Sequence, residues 1–273
     1  MLRLETKDGW WLIKHPDHAA LAGDFATQWG NDLFVAPQPR EPVLRAIYAH
    51  DNGWAVRDET PMVMKSGKPA AFSVELVGAY SAFEEIDLEA YLAVRRSAVQ
   101  LIAQQDPYAA ILISMHTYNL LTDRADRNTI RVEQLPLLDA FLAEQKELQT
   151  GLQQQLVAAD EMPQEQITWD ALTENFKLLQ ACDNLSLLSC VDFSGAATLL
   201  WPQKLRDGGT SEVHVTRIAE RSFRLTPYPF LQSQFTLELR ARFVPGLRFD
   251  SSEQLQERFH AAPVEELEVH LSA

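Results

Sequence analysis

The sequence predicts a mainly helical (α+β) protein that combines a helical core with a smaller antiparallel β-sheet. Three observations predict it. Apolar residues recur at helical spacing over residues 16–192, a period of two replaces that spacing after about residue 210, and a strand-forming hairpin occupies residues 1–14. We therefore expect a single domain over residues 1–273, in which residues 1–14 and 210–273 form one accessory sheet.

The N-terminal segment Leu2–Lys14 is typical of a hairpin, because Asp8-Gly9 supplies a tight turn ahead of aromatic and branched residues. Helical periodicity follows it. Pro16 and Pro42 stand where a first helical turn would begin, a position at which the missing N–H is no loss. The pattern predicts helices near residues 16–29, 41–51, 87–105, 108–122, 133–159 and 168–192.

Two regions depart from the helical pattern. Residues 52–82 lack sustained periodicity and contain several glycines and prolines, which predicts a long irregular connection over the surface. Near the C-terminus, apolar and polar residues alternate over 235–243, 213–215 and 267–271, the pattern of half-buried strands.

Composition limits the classes of function. The net charge of -14 argues against binding of duplex nucleic acid, which depends on clustered Lys and Arg. Both cysteines, Cys182 and Cys190, lie in one apolar helical segment and are expected to be core residues in a reducing compartment. No apolar run approaches the roughly 18 to 20 residues of a membrane span, and the first residues lack the order of a signal peptide. We expect a cytoplasmic protein.

Several titratable residues fall on apolar helical faces. Steps of three and four along the stripe of each predicted helix lead to His18 in the first, His50 and Asp51 at the end of the second, His116 in a later one and Asp183 in the last. A buried ion without a partner costs on the order of several kcal/mol. These five side chains are therefore expected to meet in a common interior.

One shared cation would neutralise that cost. Two carboxylates with two or three imidazoles make a mixed N/O site that suits Mn, Fe, Co, Ni or Zn rather than calcium. We predict one divalent transition metal held by His18, His50, Asp51 and Asp183, and the sequence leaves the element open. Each residue taken alone has an alternative to metal binding: a histidine can be a hydrogen-bonded core residue, and an aspartate can be a helix cap.

The remaining histidines serve as a comparison. His214 and His270 fall on the polar side of alternating strands, and His260 lies in a charged stretch. His15 precedes Pro16 at the expected helix cap, so a surface position is expected for it. None of the four is predicted to be a ligand.

The arrangement resembles the HD-domain superfamily of metal-dependent phosphohydrolases. An inward His18 is followed by His50-Asp51-Asn52-Gly53, which looks like the His-Asp-x-Gly of that family, and residues 181–185 (Ala-Cys-Asp-Asn-Leu) are similar to its closing Ala-x-Asp-x-Leu. Over residues 16–192 the resemblance implies an HD-like helical core and the ligand set above. Longer strings look closer still to one bacterial family within that group that is known by sequence rather than by activity.

One departure concerns the number of metal ions. Two-metal HD enzymes usually carry more than one histidine between the His-Asp pair and the final Asp, and this chain offers His116 alone on an inward face. A single metal is the expectation. His116 is then a proton donor, a phosphate contact or a weak ligand of a second ion.

The leading functional hypothesis is hydrolysis of a small phosphate ester or nucleotide through a metal-bound water. Asp51 is expected to orient that water, and His116 to be the general acid, on the premise of a pKa near neutrality. Trp54 and Arg124 are the candidate substrate-binding residues. Solvated surface charge is the alternative for Arg124, as it is for nearby basic residues.

Two further hypotheses stay open at this stage. Some HD-like proteins hold two irons and insert oxygen, although the scarcity of inward histidines argues against that chemistry here. The site can also be structural or vestigial in a binding or scaffold protein. The C-terminal strands either cap the pocket or form the edge of a homodimer.

Overall fold

The computed structural model describes residues 1–71, 87–125, 127–191 and 193–273. Of these residues 51% are helical. The helices described are α1 (His15–Gln28), α2 (Arg40–Ala49), α3 (Ala55–Asp58), α4 (Leu88–Ala103), α5 (Pro107–Asn119), α6 (Leu135–Ala159), α7 (Trp169–Cys190) and α8 (Ser252–Ala261). All six predicted helices are confirmed, and none of the described helices is long and apolar enough to cross a membrane.

Seven of the described strands form one curled sheet with the shape of a half-barrel, and two more form a small hairpin ladder. The order in the sheet is β1-β2-β8-β9-β7-β6-β3. The pair β7–β9 is parallel, whereas the other pairs are antiparallel. The strands are β1 (Leu2–Glu5), β2 (Gly9–Ile13), β3 (Ala196–Thr198), β4 (Gln203–Lys204), β5 (Thr210–Ser211), β6 (His214–Ala219), β7 (Ser222–Thr226), β8 (Gln234–Pro245) and β9 (Val264–Ser272).

The predicted fold class, an HD-like helical core with a smaller antiparallel sheet, is wrong. The chain has an α+β fold in which a seven-stranded mixed sheet is a principal element. Period-two alternation identifies a strand but does not specify its neighbours, so the parallel pairing of β7 with β9 left no signal. Strands as short as β3 are also too brief to show a period.

The predicted union of the two chain ends is confirmed. Strands β1 and β2 form the expected hairpin around Asp8, and β2 pairs with β8 in a register that places Trp10 opposite Val244. A hydrophobic core then joins this sheet to the helices, since Phe25 of α1 belongs to the same buried cluster as Leu239 of β8. The sheet therefore supports α1, one of the helices that carry candidate ligands.

The first part of the predicted irregular connection is helical. A 3-10 turn at Asn52–Trp54 and the short helix α3 occupy its first part, and a single bridge joins Val63 to Pro69. Residues 72–82 of the predicted connection lie outside the described residues.

Gly53 allows the turn after α2 to lie directly against α4. A Cβ at this position would overlap the carbonyl oxygen of Val94 and lie 2.9 Å from the backbone nitrogen of Ala98. Backbone atoms of a helix cannot move aside as a flexible side chain can. The glycine of the His-Asp-x-Gly string is thus required by the close approach of two backbones.

Replacing Gly53 with alanine is expected to lower the free energy of unfolding by about 1–3 kcal/mol, because the new methyl group must push α4 away. Urea denaturation measures the change. Gly151→Ala is the matched control, since a Cβ there meets nothing within 4 Å and alanine is the better helix former by about 0.5–1 kcal/mol. A Gly53→Ala protein as stable as the wild type would contradict the described packing.

Candidate metal centre

The five predicted residues meet in the interior. His18 lies on α1, His50 caps the C-terminus of α2, Asp51 follows it, His116 lies on α5 and Asp183 lies on α7. All five are buried, with exposures between 0% and 6%. Their donor atoms form two groups that could hold a metal ion, each with its atoms within 4.8 Å of one another: His18, His50 and Asp51, and His50, His116 and Asp183.

The pair His50-Asp51 faces inward for a reason other than the helical stripe. His50 ends α2 with helical dihedral angles, but Asp51 has φ -115° and ψ 14°, which lies outside the helix. This bridge region of backbone conformation is common among active-site residues. The chain therefore turns at Asp51 and directs both side chains to the same side.

The hydrogen bonds of His18 fix its tautomer. Its Nδ1 lies 2.7 Å from the Ser186 hydroxyl oxygen, and that hydroxyl donates its only hydrogen to the carbonyl oxygen of Asp183 at 2.8 Å. When Ser186 makes that bond, it accepts from His18, which places the ring proton on Nδ1. The Nε2 atom, with its lone pair, lies 3.1 Å from Asp51 Oδ2 and 3.8 Å from Asp183 Oδ1.

His50 has the same tautomer for a different reason. Its Nδ1 lies 2.7 Å from the carbonyl oxygen of Ile47, which can only accept, so Nδ1 carries the proton. Its Nε2 lies 3.3 Å from Asp183 Oδ1 and 4.0 Å from Asp51 Oδ2. A backbone carbonyl or side chain that holds the distal N–H in this way is the usual support of a metal-bound imidazole.

Acceptor atoms thus face one another at the centre of the cluster. The four distances from the imidazole Nε2 atoms of His18 and His50 to the carboxylate oxygens of Asp51 and Asp183 are 3.1–4.0 Å. Such a set repels itself unless a cation lies among its members. The buried His and Asp groups could therefore hold a metal ion.

A proton is the cation available without a metal. Burial opposes the charged form of His50, but Asp51 and Asp183 outweigh it and raise the pKa of His50. Burial likewise opposes ionisation of the carboxylates, but Arg95 and His50 hold the pKa of Asp51 well below its ordinary value. Contacts with His50 lower the pKa of Asp183. A metal and a proton on His50 therefore compete for the same lone pair.

Three members of the site were missed in the sequence. Arg95 on α4 donates from Nη1 to Asp51 Oδ1, and its side chain is 4% exposed. On α7, Ser186 contacts His18 and Gln180 contacts His116. A usable signal existed, because Arg95 continues the buried stripe of α4 and the other two lie three residues from Asp183.

His116 differs from the other two imidazoles. Gln180 Nε2 lies 2.6 Å from His116 Nδ1. With the amide in this orientation Nδ1 accepts, and the ring proton is on Nε2. Desolvation by burial lowers the pKa of His116 to about 3. At neutral pH the residue is therefore a neutral imidazole that presents an N–H.

The predicted substrate-binding residues lie in different surroundings. Trp54 is buried beside the cluster, stacked on His15 with 4.4 Å between ring centroids and 5.6 Å from the Arg95 guanidinium. Arg124 ends a π-helical turn after α5. Among the described residues, no hydrogen bond or ion pair joins it to the cluster. The expected surface position of His15 is wrong, since its side chain is 13% exposed and lies 3.0 Å from Asp58.

Several buried polar atoms have no hydrogen-bond partner. Within the described ranges they include Gln180 Oε1, Trp54 Nε1, Thr117 Oγ1 and Asn119 Oδ1. Buried polar groups are normally satisfied, and Gln180 belongs to a side chain that contacts the cluster at His116.

Comparison with known proteins identifies a family. The chain matches the family model described as "Protein of unknown function (DUF3891)" over residues 1–246, and it therefore belongs to that family. All five cluster residues and Arg95 lie within the matched range. No curated protein and no solved structure matches the chain.

The stability of the metal-free protein is expected to fall as pH rises from 6.5 to 8.5. The raised pKa of His50 stabilises the fold fully below the unfolded value near 6.5, and this contribution is lost as pH passes the higher pKa of the folded state. The lowered pKa values of His15 and His116 affect stability only below about pH 6.5. One proton limits the slope to about 1.4 kcal/mol per pH unit.

Urea denaturation in the presence of a chelator measures this slope. His50→Gln is the comparison, because glutamine cannot take up the proton and its stability should be level over the same interval. Equal slopes in the two proteins would show that His50 is not the group that titrates.

Proposed function

We propose that this protein hydrolyses a small phosphate ester or a nucleotide, using one divalent transition metal held by His18, His50, Asp51 and Asp183. The observation that supports the proposal is the convergence of two buried imidazoles and two carboxylates, with each imidazole Nε2 within 3.1–4.0 Å of carboxylate oxygens of Asp51 and Asp183. The resemblance to HD-domain phosphohydrolases lies in these ligands and their strings, not in the architecture of the whole chain.

The charge of the site favours an anionic substrate once the metal is bound. Two carboxylates and the Arg95 guanidinium leave one net negative charge, which attracts a divalent cation. The loaded site then carries one net positive charge in a buried setting, where electrostatic interactions are strong. A phosphoryl group matches that charge, whereas the protein as a whole is acidic.

A divalent ion at such a site supplies an activated water and polarises a phosphoryl oxygen. The residues of this chain then orient the reactants. Asp51 and Asp183 stay ionised near neutral pH because their pKa values are lowered, so they are ligands and hydrogen-bond acceptors rather than proton donors. Asp51 Oδ2, the oxygen that does not contact Arg95, is the ligand atom of this carboxylate.

His116 contributes a hydrogen bond rather than an acid proton. The expectation of a general acid depended on a pKa near neutrality, and burial lowers this pKa to about 3. Its Nε2–H, set by Gln180, can donate to a phosphoryl oxygen without leaving the ring. Trp54 is buried and packs on the Arg95 guanidinium that contacts Asp51.

The test is metal analysis followed by a screen of phosphate esters and nucleotides, with manganese, iron, cobalt, nickel and zinc each supplied. Asp183→Asn is expected to weaken metal binding by at least about 100-fold and to abolish hydrolysis. Loss of a residue that only contacts a metal ligand typically weakens binding by about 10- to 100-fold. His116→Asn is expected to retain the metal and slow hydrolysis. The measurements are calorimetric titration and initial rates.

Asp139→Asn is the matched control, because that carboxylate pairs with Arg127 on the surface and should change neither quantity. Wild-type protein that binds no metal, or an Asp183→Asn variant with full activity, would contradict the proposal. Oxygen consumption by iron-loaded protein without hydrolysis would identify an oxygenase. A metal that stabilises the fold without any turnover would identify a structural site.

A further inference from the structure

Arg95 is fixed as firmly as the ligands themselves. Its Nε donates to the hydroxyl of Tyr91 at 3.0 Å, and its guanidinium lies 5.1 Å from the Tyr91 ring and 5.6 Å from the Trp54 ring. Nη1 donates to Asp51 Oδ1. An arginine remains charged at every pH at which the protein is folded. A permanent cation therefore lies in contact with a candidate metal ligand.

This contact divides the two oxygens of Asp51. Oδ1 faces Arg95, and Oδ2 faces His18 at 3.1 Å. Oδ1 has a second lone pair beside the one that accepts from Arg95. An ion bound there would lie against the guanidinium charge and be repelled by it, so Oδ2 is the oxygen that is available to a metal.

The histidines also limit the number of ions that the cluster can bind. The two groups of donors share His50, which has one lone pair because its Nδ1–H is held by the carbonyl oxygen of Ile47. His116 uses the lone pair of Nδ1 to accept from Gln180. The group of His50, His116 and Asp183 is thus incomplete once an ion occupies the first group.

We propose that Arg95 takes the place of a second cation and limits the cluster to one divalent ion. The inference rests on the proposed metal site and adds the residue that sets its stoichiometry. The close approach of α4 to Gly53 then has a role at the site, because it brings Arg95 to Asp51.

The experiment is a calorimetric titration of chelator-treated protein with Mn²⁺, checked by elemental analysis of the saturated protein. The wild type is expected to bind one ion per chain. Arg95→Gln removes the charge but keeps a hydrogen-bond donor, and it is expected to bind the first ion roughly 10- to 100-fold more tightly and to admit a second. Arg95→Lys keeps the charge and is expected to remain at one ion.

Arg96→Gln is the matched control. Arg96 neighbours Arg95 in sequence but pairs with Glu144 on the surface, so its loss should leave stoichiometry and affinity unchanged. Tyr91→Phe is the second variant. It removes the hydroxyl that accepts from Arg95, while the charges of Arg95 and Asp51 remain. It is expected to shift the affinity in the same direction as Arg95→Gln but by a smaller factor.

Two ions bound to the wild type would overturn the inference, as would a folded Arg95→Gln protein with wild-type affinity and stoichiometry. If Arg95→Gln does not fold, wild-type stoichiometry and the Tyr91→Phe affinity decide the question. The outcome is separable from that of the proposed function. One ion per wild-type chain without any hydrolysis supports the role of Arg95 and contradicts the hydrolase, whereas no ion contradicts both.

Discussion

Inside the core, the Nε2 atoms of His18 and His50 face the carboxylates of Asp51 and Asp183, while their ring protons are held on the opposite side. Burying such a set without a cation costs on the order of several kcal/mol. The surrounding contacts make sense as ways to fix this arrangement, because Ser186 and the carbonyl oxygen of Ile47 each impose one tautomer. Donor atoms fixed in this way could hold a metal ion without rearranging.

The same constraint explains the packing around the site. Gly53 lets the turn after α2 touch the backbone of α4, which delivers Arg95 to one oxygen of Asp51. The sheet contributes from the other side, since the core that contains Leu239 and Val269 also contains apolar residues of α1 and α7. The helices supply the ligands, and the sheet fixes the helices from which they project.

Much of the site could be predicted from the sequence because burial on a helix is periodic, and His18 and Asp183 interrupt apolar stripes whose direction is determined by spacing. The sheet could not be predicted in the same way, since alternation in β7 or β9 indicates two faces but not a neighbouring strand. Arg95 was missed because an arginine beside an apolar stripe is usually at its solvent-exposed edge. Only the partner, Asp51, shows that this arginine is buried. The protonation of His116 depends on Gln180, a contact between helices distant in sequence.

X-ray absorption spectroscopy of protein loaded with one equivalent of Co²⁺ determines whether two imidazoles and two carboxylates of this chain bind one ion. We expect nitrogen and oxygen neighbours around the cobalt, with the outer scattering of two imidazole rings and no sulfur. His18→Gln should remove the scattering of one ring. A spectrum without imidazole scattering, or one unchanged by His18→Gln, would show that these side chains do not bind the ion.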